Sequence, residues 1–377
     1  MLKGTVKAIK SLDFILIGIT ALLITFGIVI LASTSTSFIQ EEDNVYDLLK
    51  HQLLFALFPG ILLAFLFSTK VSLQFLKQKA HLFLLVNLIL MVIVFIPKIG
   101  IKSGTASRWI SLGFVSFQPS ELLKLTFILY LASWLESRTK KSSLNRAKIS
   151  LRENLLSFLL ILCLIAVLLL LQSDIGTLGV ILATAALMYF FAETPFWHIV
   201  LVGIIVLCGF FLFIQLAPYR LERILVFLNP EKDPLGAGYQ IKQALIAVGS
   251  GRIFGLGLGM SKQKFGLLPH PISDSIFAIL AEETGFLGSL ILILLFLLFL
   301  WRGYKIGKES KNIFSKLTAL GITSWILIQA LVNIGSMIGV LPLTGIPLPF
   351  ISYGGSALIT ELVGIGVLLN ISKKFKS

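Results

Sequence analysis

Long apolar runs separated by short polar breaks fill this chain from near its start to its end. A run of about 17 to 25 apolar residues is what one helical crossing of a bilayer requires. Ten such runs predict ten transmembrane helices, at about 13–34, 50–68, 80–98, 119–136, 154–172, 175–192, 197–217, 275–301, 317–339 and 351–371. The fifth and sixth stand so close together that a tight turn around Ser173 must join them. The first run follows a basic head, as a signal peptide would, but it is too long and ends without a small-residue cleavage site, so it is read as a span. The predicted fold class is an all-α polytopic membrane protein, a single membrane domain over 1–377 with one long loop, about 218–274, between helices 7 and 8.

The distribution of Lys and Arg sets the orientation. With the N-terminus inside, the inner segments hold twenty of them, and the short outer loops hold only Lys50, Lys98, Lys102 and Arg108. The positive-inside bias then puts both termini in the cytoplasm and the long loop outside. Composition agrees: 13% of residues are charged, against about 25% in soluble domains. The formal net charge of +14 follows this topology rather than a soluble basic patch, so no nucleic acid is needed to explain it.

A loop of more than fifty residues without function would be unusual. Between Gln240 and Val248 it places Ile241, Ala244, Leu245 and Val248 on one helical face, which predicts a short helix lying on the membrane surface. At its end, in LLPHPISDSIF, Asp274 follows Pro269 and Pro271 just where the chain re-enters the membrane.

Ionisable residues within spans default to a functional hypothesis. Glu121 and Lys124 are three apart and share a helix face. They are either a structural ion pair or a pair lining a polar cavity. Pro119 suits the first turn of that helix, with Gln118 or Ser120 as its cap. Asp174 is either a cap at the Ser173 turn or a cavity carboxylate; Glu282 and Glu283 suit the start of span eight, where the helix dipole favours negative charge. Glu361 lies deep in span ten, and the sequence leaves open whether it is protonated, faces a cavity or pairs with Lys124. Cys163 and Cys208 are expected as buried free thiols. His51, His81, His198 and His270 make no metal spacing, and GLGLG at 255–259 lacks the strand–turn–helix frame of a dinucleotide fingerprint; its glycines would let backbone approach a ligand or another helix.

Five stretches carry a family resemblance: RWISLGFVSFQPSELLK at 108–124, LLQSDIGT at 170–177, YRLERILVFLNPEKDPLGAGYQIKQALIAVGSG at 219–251, GLGLGMSKQKFGLLPHPISDSIFAILAEETGFLG at 255–288 and NIGSMIGVLPLTGIPLPFISYGGSA at 333–357. The chain resembles the SEDS proteins, the FtsW and RodA glycosyltransferases of bacterial cell-wall synthesis, along essentially its whole length. Ser261 to Lys264 ahead of Leu-Pro looks more like the FtsW branch. Where many members carry Leu-Pro-Glu-x-His-Thr-Asp, this chain has His270 and Ile272 in place of glutamate and histidine, and it keeps Asp274.

The resemblance implies polymerisation of lipid II, an undecaprenyl-pyrophosphate disaccharide-peptide, at the outer leaflet by inverting glycosyl transfer. Asp274 would be the general base that takes a proton from the attacking sugar hydroxyl. Trp109, Glu121, Lys124, Asp174, Gln243 and Ser352 would belong to the cavity, and Arg220, Arg223, Lys242 and Lys262 would face the leaving pyrophosphate or lipid headgroups. A divalent cation, Mg or Mn, would suit that charge. A class B penicillin-binding protein transpeptidase and membrane lipids are the implied partners. Two other readings share the features: a flippase or transporter of lipid-linked precursors, and a noncatalytic scaffold for a transpeptidase. No internal repeat supports the transporter.

Overall fold

In the computed structural model, which describes residues 12–36, 47–103, 106–111, 113, 116–144, 151–192, 203, 225–234 and 236–373, helices occupy nine of the ten expected positions. The seventh, 197–217, lies outside the described residues except for Gly203, and Cys208 lies outside them too. Six helices among those described are long and apolar enough to cross a membrane, and Phe158–Leu171 and Ile175–Phe191 are shorter apolar helices. The chain is a multi-pass, all-α membrane protein.

Helix α1, Phe14–Ser35, begins at Asp13, whose carboxylate accepts from the Leu16 amide at 3.1 Å and from Arg302 at 2.8 Å. The second crossing is α2, Asp47–Gln52, a π turn, Leu53–Leu57, and α3, Phe58–Thr69. The π turn ends where the Phe58 amide reaches back to Leu53, just before Pro59, which has no amide to donate. Helix α4, Leu73–Ile93, starts and ends earlier than its predicted 80–98. Ser72 caps it by accepting from the Phe75 amide, and Lys77 in its first turns reaches the buried Glu136 at 2.6 Å. A basic stretch read as loop is therefore helix.

The loop that follows is a small antiparallel sheet that hydropathy did not reveal. Its strands are β1, Gly100–Ser103, β2, Ala106–Ser111, and β3, Ser116–Phe117, with Ile101 opposite Trp109 and Ile110 opposite Phe117. Helices α5, Pro119–Leu144, α6, Leu151–Leu171, and α7, Ile175–Phe191, come next. The α6–α7 turn passes through Ser173 at φ 57°, as the spacing required. Cys163 is exposed, a correction to the buried thiol expected: it lies on the same face of α6 as Leu160, Leu164, Val167 and Leu171, all turned outward.

In the long loop, α8, Ala237–Ser250, packs against α9, Ile276–Glu309, and α10, Ile313–Met337. Its buried apolar side chains include Ile241, Ala244 and Ala247, while Leu245 is exposed. The apolar face predicted for lipid is thus rotated, and it covers the ends of two other helices. Helices α10 and α11, Gly355–Lys373, are deeply buried crossings, and the turn between them returns to the end of the long loop.

Candidate functional site

The segment Pro269–Ser275 forms a strap across the top of α10. His270, between two prolines, takes φ 52°, and its carbonyl accepts from the amides of Ser273 and Ser275, both at 3.2 Å. The Ser275 hydroxyl donates to the Pro269 carbonyl at 2.8 Å and accepts from Gln240 of α8 at 3.1 Å. From below, the next carbonyls are each taken by a different donor. The Tyr353 amide bonds Ile272 at 2.9 Å, the Ser352 hydroxyl bonds Ser273 at 2.6 Å, and the Asn333 side chain bonds Asp274 at 2.7 Å. Buried backbone carbonyls need such partners. Here they come from α10 and from the turn before α11, so the main chain under Asp274 is fixed by distant parts of the sequence.

The Asp274 carboxylate is left free: none of the described residues donates a hydrogen bond to it. It is partly exposed and lines a cavity of about 130 Å³ with Gln240, Ile241, His270, Met337, Leu343 and Gly345. Gly345 has φ 68°, and a Cβ built there would lie 3.4 Å from Asp274 Oδ2. On the other side of the strap is a larger cavity of about 450 Å³, lined by His51, Phe55, Trp109, Ser116, Tyr353 and the 270–273 main segment. The Tyr353 hydroxyl meets His51 Nδ1 at 3.1 Å within it. His270 borders both cavities. A free carboxylate on a cavity that also presents Gln240 and His270 is an arrangement able to take a proton from a bound hydroxyl group.

The other expected site residues are distributed unevenly. Trp109 lines the larger cavity, where the unexpected sheet puts it. Ser352 is buried behind the strap, accepting from the Leu348 amide at 2.7 Å as it donates to Ser273, and so it positions backbone. Glu121 and Lys124 line neither cavity; they are buried together at 2.7 Å, and Lys124 also donates to Gln329 at 2.7 Å. Asp174 is likewise buried, capping α7 through the Thr177 amide at 3.3 Å and accepting from Ser120 at 2.9 Å. Ser120 therefore gives its hydroxyl to Asp174. Both carboxylates sit within packed helices, Glu121 against the Lys124 ammonium and Asp174 against Ser120 and the first turn of α7. Lys242 and Lys262 are exposed and Gln243 half-buried, and none of the three lines either cavity. Arg220 and Arg223 lie outside the described residues.

Glu361 resolves as a structural acceptor, taking the Phe350 amide at 2.8 Å. Glu282 accepts from the Ser261 hydroxyl and the Lys262 amide, and Glu283 accepts from Lys264 at 3.0 Å and Ser33 at 2.6 Å, so both tie the long loop to α9. Asn333, Gln240, His51 and Tyr353 were missed as site residues. Asn333 and Gln240 are polar groups on otherwise apolar helical faces, and that was the signal available. Among the described residues no three His, Cys, Asp or Glu side chains converge on a point. Mg or Mn would have to bring most of its ligands with a phosphate-bearing substrate.

Comparison with known proteins places these features in context. The profile of the FtsW, RodA and SpoVE family, described as a cell cycle protein, matches residues 13–377. The chain is 41% identical to Stage V sporulation protein E of Bacillus subtilis (strain 168), covering 96% of this chain and 97% of that protein. It is 37% identical to a probable peptidoglycan glycosyltransferase FtsW of Wigglesworthia glossinidia brevipalpis, covering 96% and 92%. Among solved structures, a chain of a peptidoglycan synthase complex that coordinates polymerization and crosslinking matches with a TM-score of 0.78 at 30% identity, covering 96% of this chain and 98% of that one. The Rod shape determining protein RodA of Thermus thermophilus matches with a TM-score of 0.69 at 28% identity, covering 97% and 98%.

Proposed function

The chain belongs to the FtsW, RodA and SpoVE family, and from that premise we propose that it is a peptidoglycan glycosyltransferase that polymerises lipid II, with Asp274 as general base. The observation that carries the assignment of the base is the free Asp274 carboxylate on a cavity, above a main chain clamped by Asn333, Ser352 and Tyr353. In the reaction, the 4-hydroxyl oxygen of one sugar bonds to the anomeric carbon of a second glycolipid as its proton passes to Asp274. The bond from that carbon to the phosphate oxygen breaks, and the undecaprenyl pyrophosphate leaves with the electron pair. Attack opposite the leaving group inverts the anomeric centre.

The reading includes the topology: both termini in the cytoplasm and the Asp274 strap at the outer leaflet, supported by the placement of Lys and Arg. Exposed Lys242 and Lys262 are then on the side where anionic headgroups and pyrophosphate lie. A class B penicillin-binding protein is the proposed partner, because a relative of known structure belongs to a synthase complex that couples polymerization to crosslinking.

The test is polymerisation of lipid II by the purified chain, alone and with a class B transpeptidase, read as glycan strands on a gel. Removing a general base is expected to slow the reaction by about 10²–10⁴. Asp274→Asn with a normal thermal transition and wild-type strand synthesis would remove Asp274 from this role. No strands under either condition would argue for a scaffold or transporter instead.

A further inference from the structure

Helix α9 is broken at Gly285, with φ 68° and ψ −164°. Such a break deprives the preceding carbonyls and the following amides of helical partners. The loop just after α8 supplies them. The Leu256 and Gly257 amides donate to the carbonyls of Glu282 and Glu283 at 2.9 and 3.1 Å, and the Phe286 and Leu287 amides donate to those of Arg252 and Ile253 at 2.9 and 3.1 Å. Loop and break thus complete one another's backbone hydrogen bonds.

The break lies at membrane depth. Trp301, followed by Arg302, Lys305 and Lys308, marks the opposite interface on the same helix. Gly285 is sixteen residues from Trp301. That distance is about 24 Å at 1.5 Å per residue, short of the roughly 30 Å of a hydrocarbon core. Irregular backbone is tolerated there only where protein satisfies its polar groups, and these four bonds do so.

The side chains agree. Residues 253–260, IFGLGLGM, contain no polar side chain. Phe254 is 79% exposed, Met260 66% and Leu258 59%. They extend the outward apolar face of α9 formed by Phe286, Leu287, Leu290 and Ile291. Exposed Arg252 and Lys262 bracket the segment, as basic residues do at a phosphate headgroup layer.

We infer that residues 253–260 are inserted in the bilayer as a short wedge, with lipid acyl chains packed on Phe254, Leu258 and Met260 and with Arg252 and Lys262 at the headgroups. The inference is independent of the catalytic reading and of which face of the membrane the loop occupies. Gly255 allows the close approach: a Cβ there would lie 2.1 Å from the Glu283 carbonyl oxygen.

The experiment uses the full chain with Cys163→Ala and Cys208→Ala, spin-labelled singly at Phe254→Cys, Leu258→Cys or the exposed control Glu231→Cys, in nanodiscs of phosphatidylethanolamine and phosphatidylglycerol. Power-saturation EPR then compares collisions with oxygen, which concentrates in lipid, and with a water-soluble nickel chelate. The wedge predicts oxygen collisions at 254 and 258 several-fold above those of the chelate, with the opposite order at 231. Chelate access at 254 and 258 equal to that at 231 overturns it. Shielding of both positions from both reagents also overturns it, because a second copy or another protein segment would then be the occupant. All three labelled positions are exposed, so the substitutions leave the core packing in place.

Discussion

The side-chain amide of Asn333, at the end of α10, bridges two loops, donating to the main-chain oxygen of Asp274 at 2.7 Å and to that of Ile346 at 2.8 Å. One residue thereby ties the candidate base to the turn before α11. It fixes the height of a carboxylate that it never touches.

Asn333→Ala should therefore separate positioning from folding. Two carbonyls lose their donor, at a cost of about 1–3 kcal/mol for each buried group left unsatisfied. Strand synthesis is expected to fall at least tenfold further than folded yield, with KM for lipid II little changed. A loss confined to folded yield, with normal turnover in the surviving protein, would make Asn333 merely structural.

Gly345 approaches the carboxylate from the other side. At φ 68° an alanine is disfavoured by roughly 1–2 kcal/mol, and its Cβ would sit 3.4 Å from Asp274 Oδ2. Gly345→Ala is expected to fold with a modest fall in Tm and to lose more activity than that fall explains, because the methyl group occupies space in the cavity. Paired thermal and turnover measurements decide it.

What the sequence disclosed follows a physical divide. Crossing helices are encoded by runs of local hydrophobicity, and the positions of those among the described residues were legible apart from shifts such as that at Ser72, where a cap outweighs a basic stretch. Asp274 and Trp109 were legible through the motifs that carry them. The clamp was not, because Asn333, Ser352 and Tyr353 act on the strap across 59 to 81 positions of sequence, by hydrogen bonds to main chain that leave no local pattern. Glu121, Lys124 and Asp174 showed the converse: an intramembrane charge announces a polar partner, and only packing reveals whether that partner is protein or ligand.

The sealed ion pair gives a third expectation. Lys124 reaches Glu121 and Gln329, both at 2.7 Å, and Gln329 also accepts from Trp325 at 2.8 Å. Breaking a buried pair by removing one partner costs about 3–5 kcal/mol, whereas replacing both is far milder. Lys124→Met should reduce folded yield and activity in equal proportion. Adding Glu121→Gln should restore part of both. Folded protein with selective loss of turnover in Lys124→Met would return the pair to a cavity role.

The helix break offers the sharpest stability contrast. A Cβ at Gly285 would lie 2.3 Å from the Gly255 nitrogen and 2.6 Å from the Ile253 oxygen, and both are main-chain atoms of the loop that completes the break. Neither can swing aside as a flexible side chain would, so Gly285→Ala must part the two segments and expose the four bonds between them. A loss beyond about 4 kcal/mol is expected, in the range reserved for disrupted cores and unsatisfied buried groups. Gly179 on α7 is exposed, and a Cβ there meets nothing within 4 Å. Gly179→Ala should instead gain up to about 1 kcal/mol from helix propensity. Thermal unfolding of the two variants in the same bilayer mimetic checks both signs, and equal effects would mean that the loop does not hold the α9 break together.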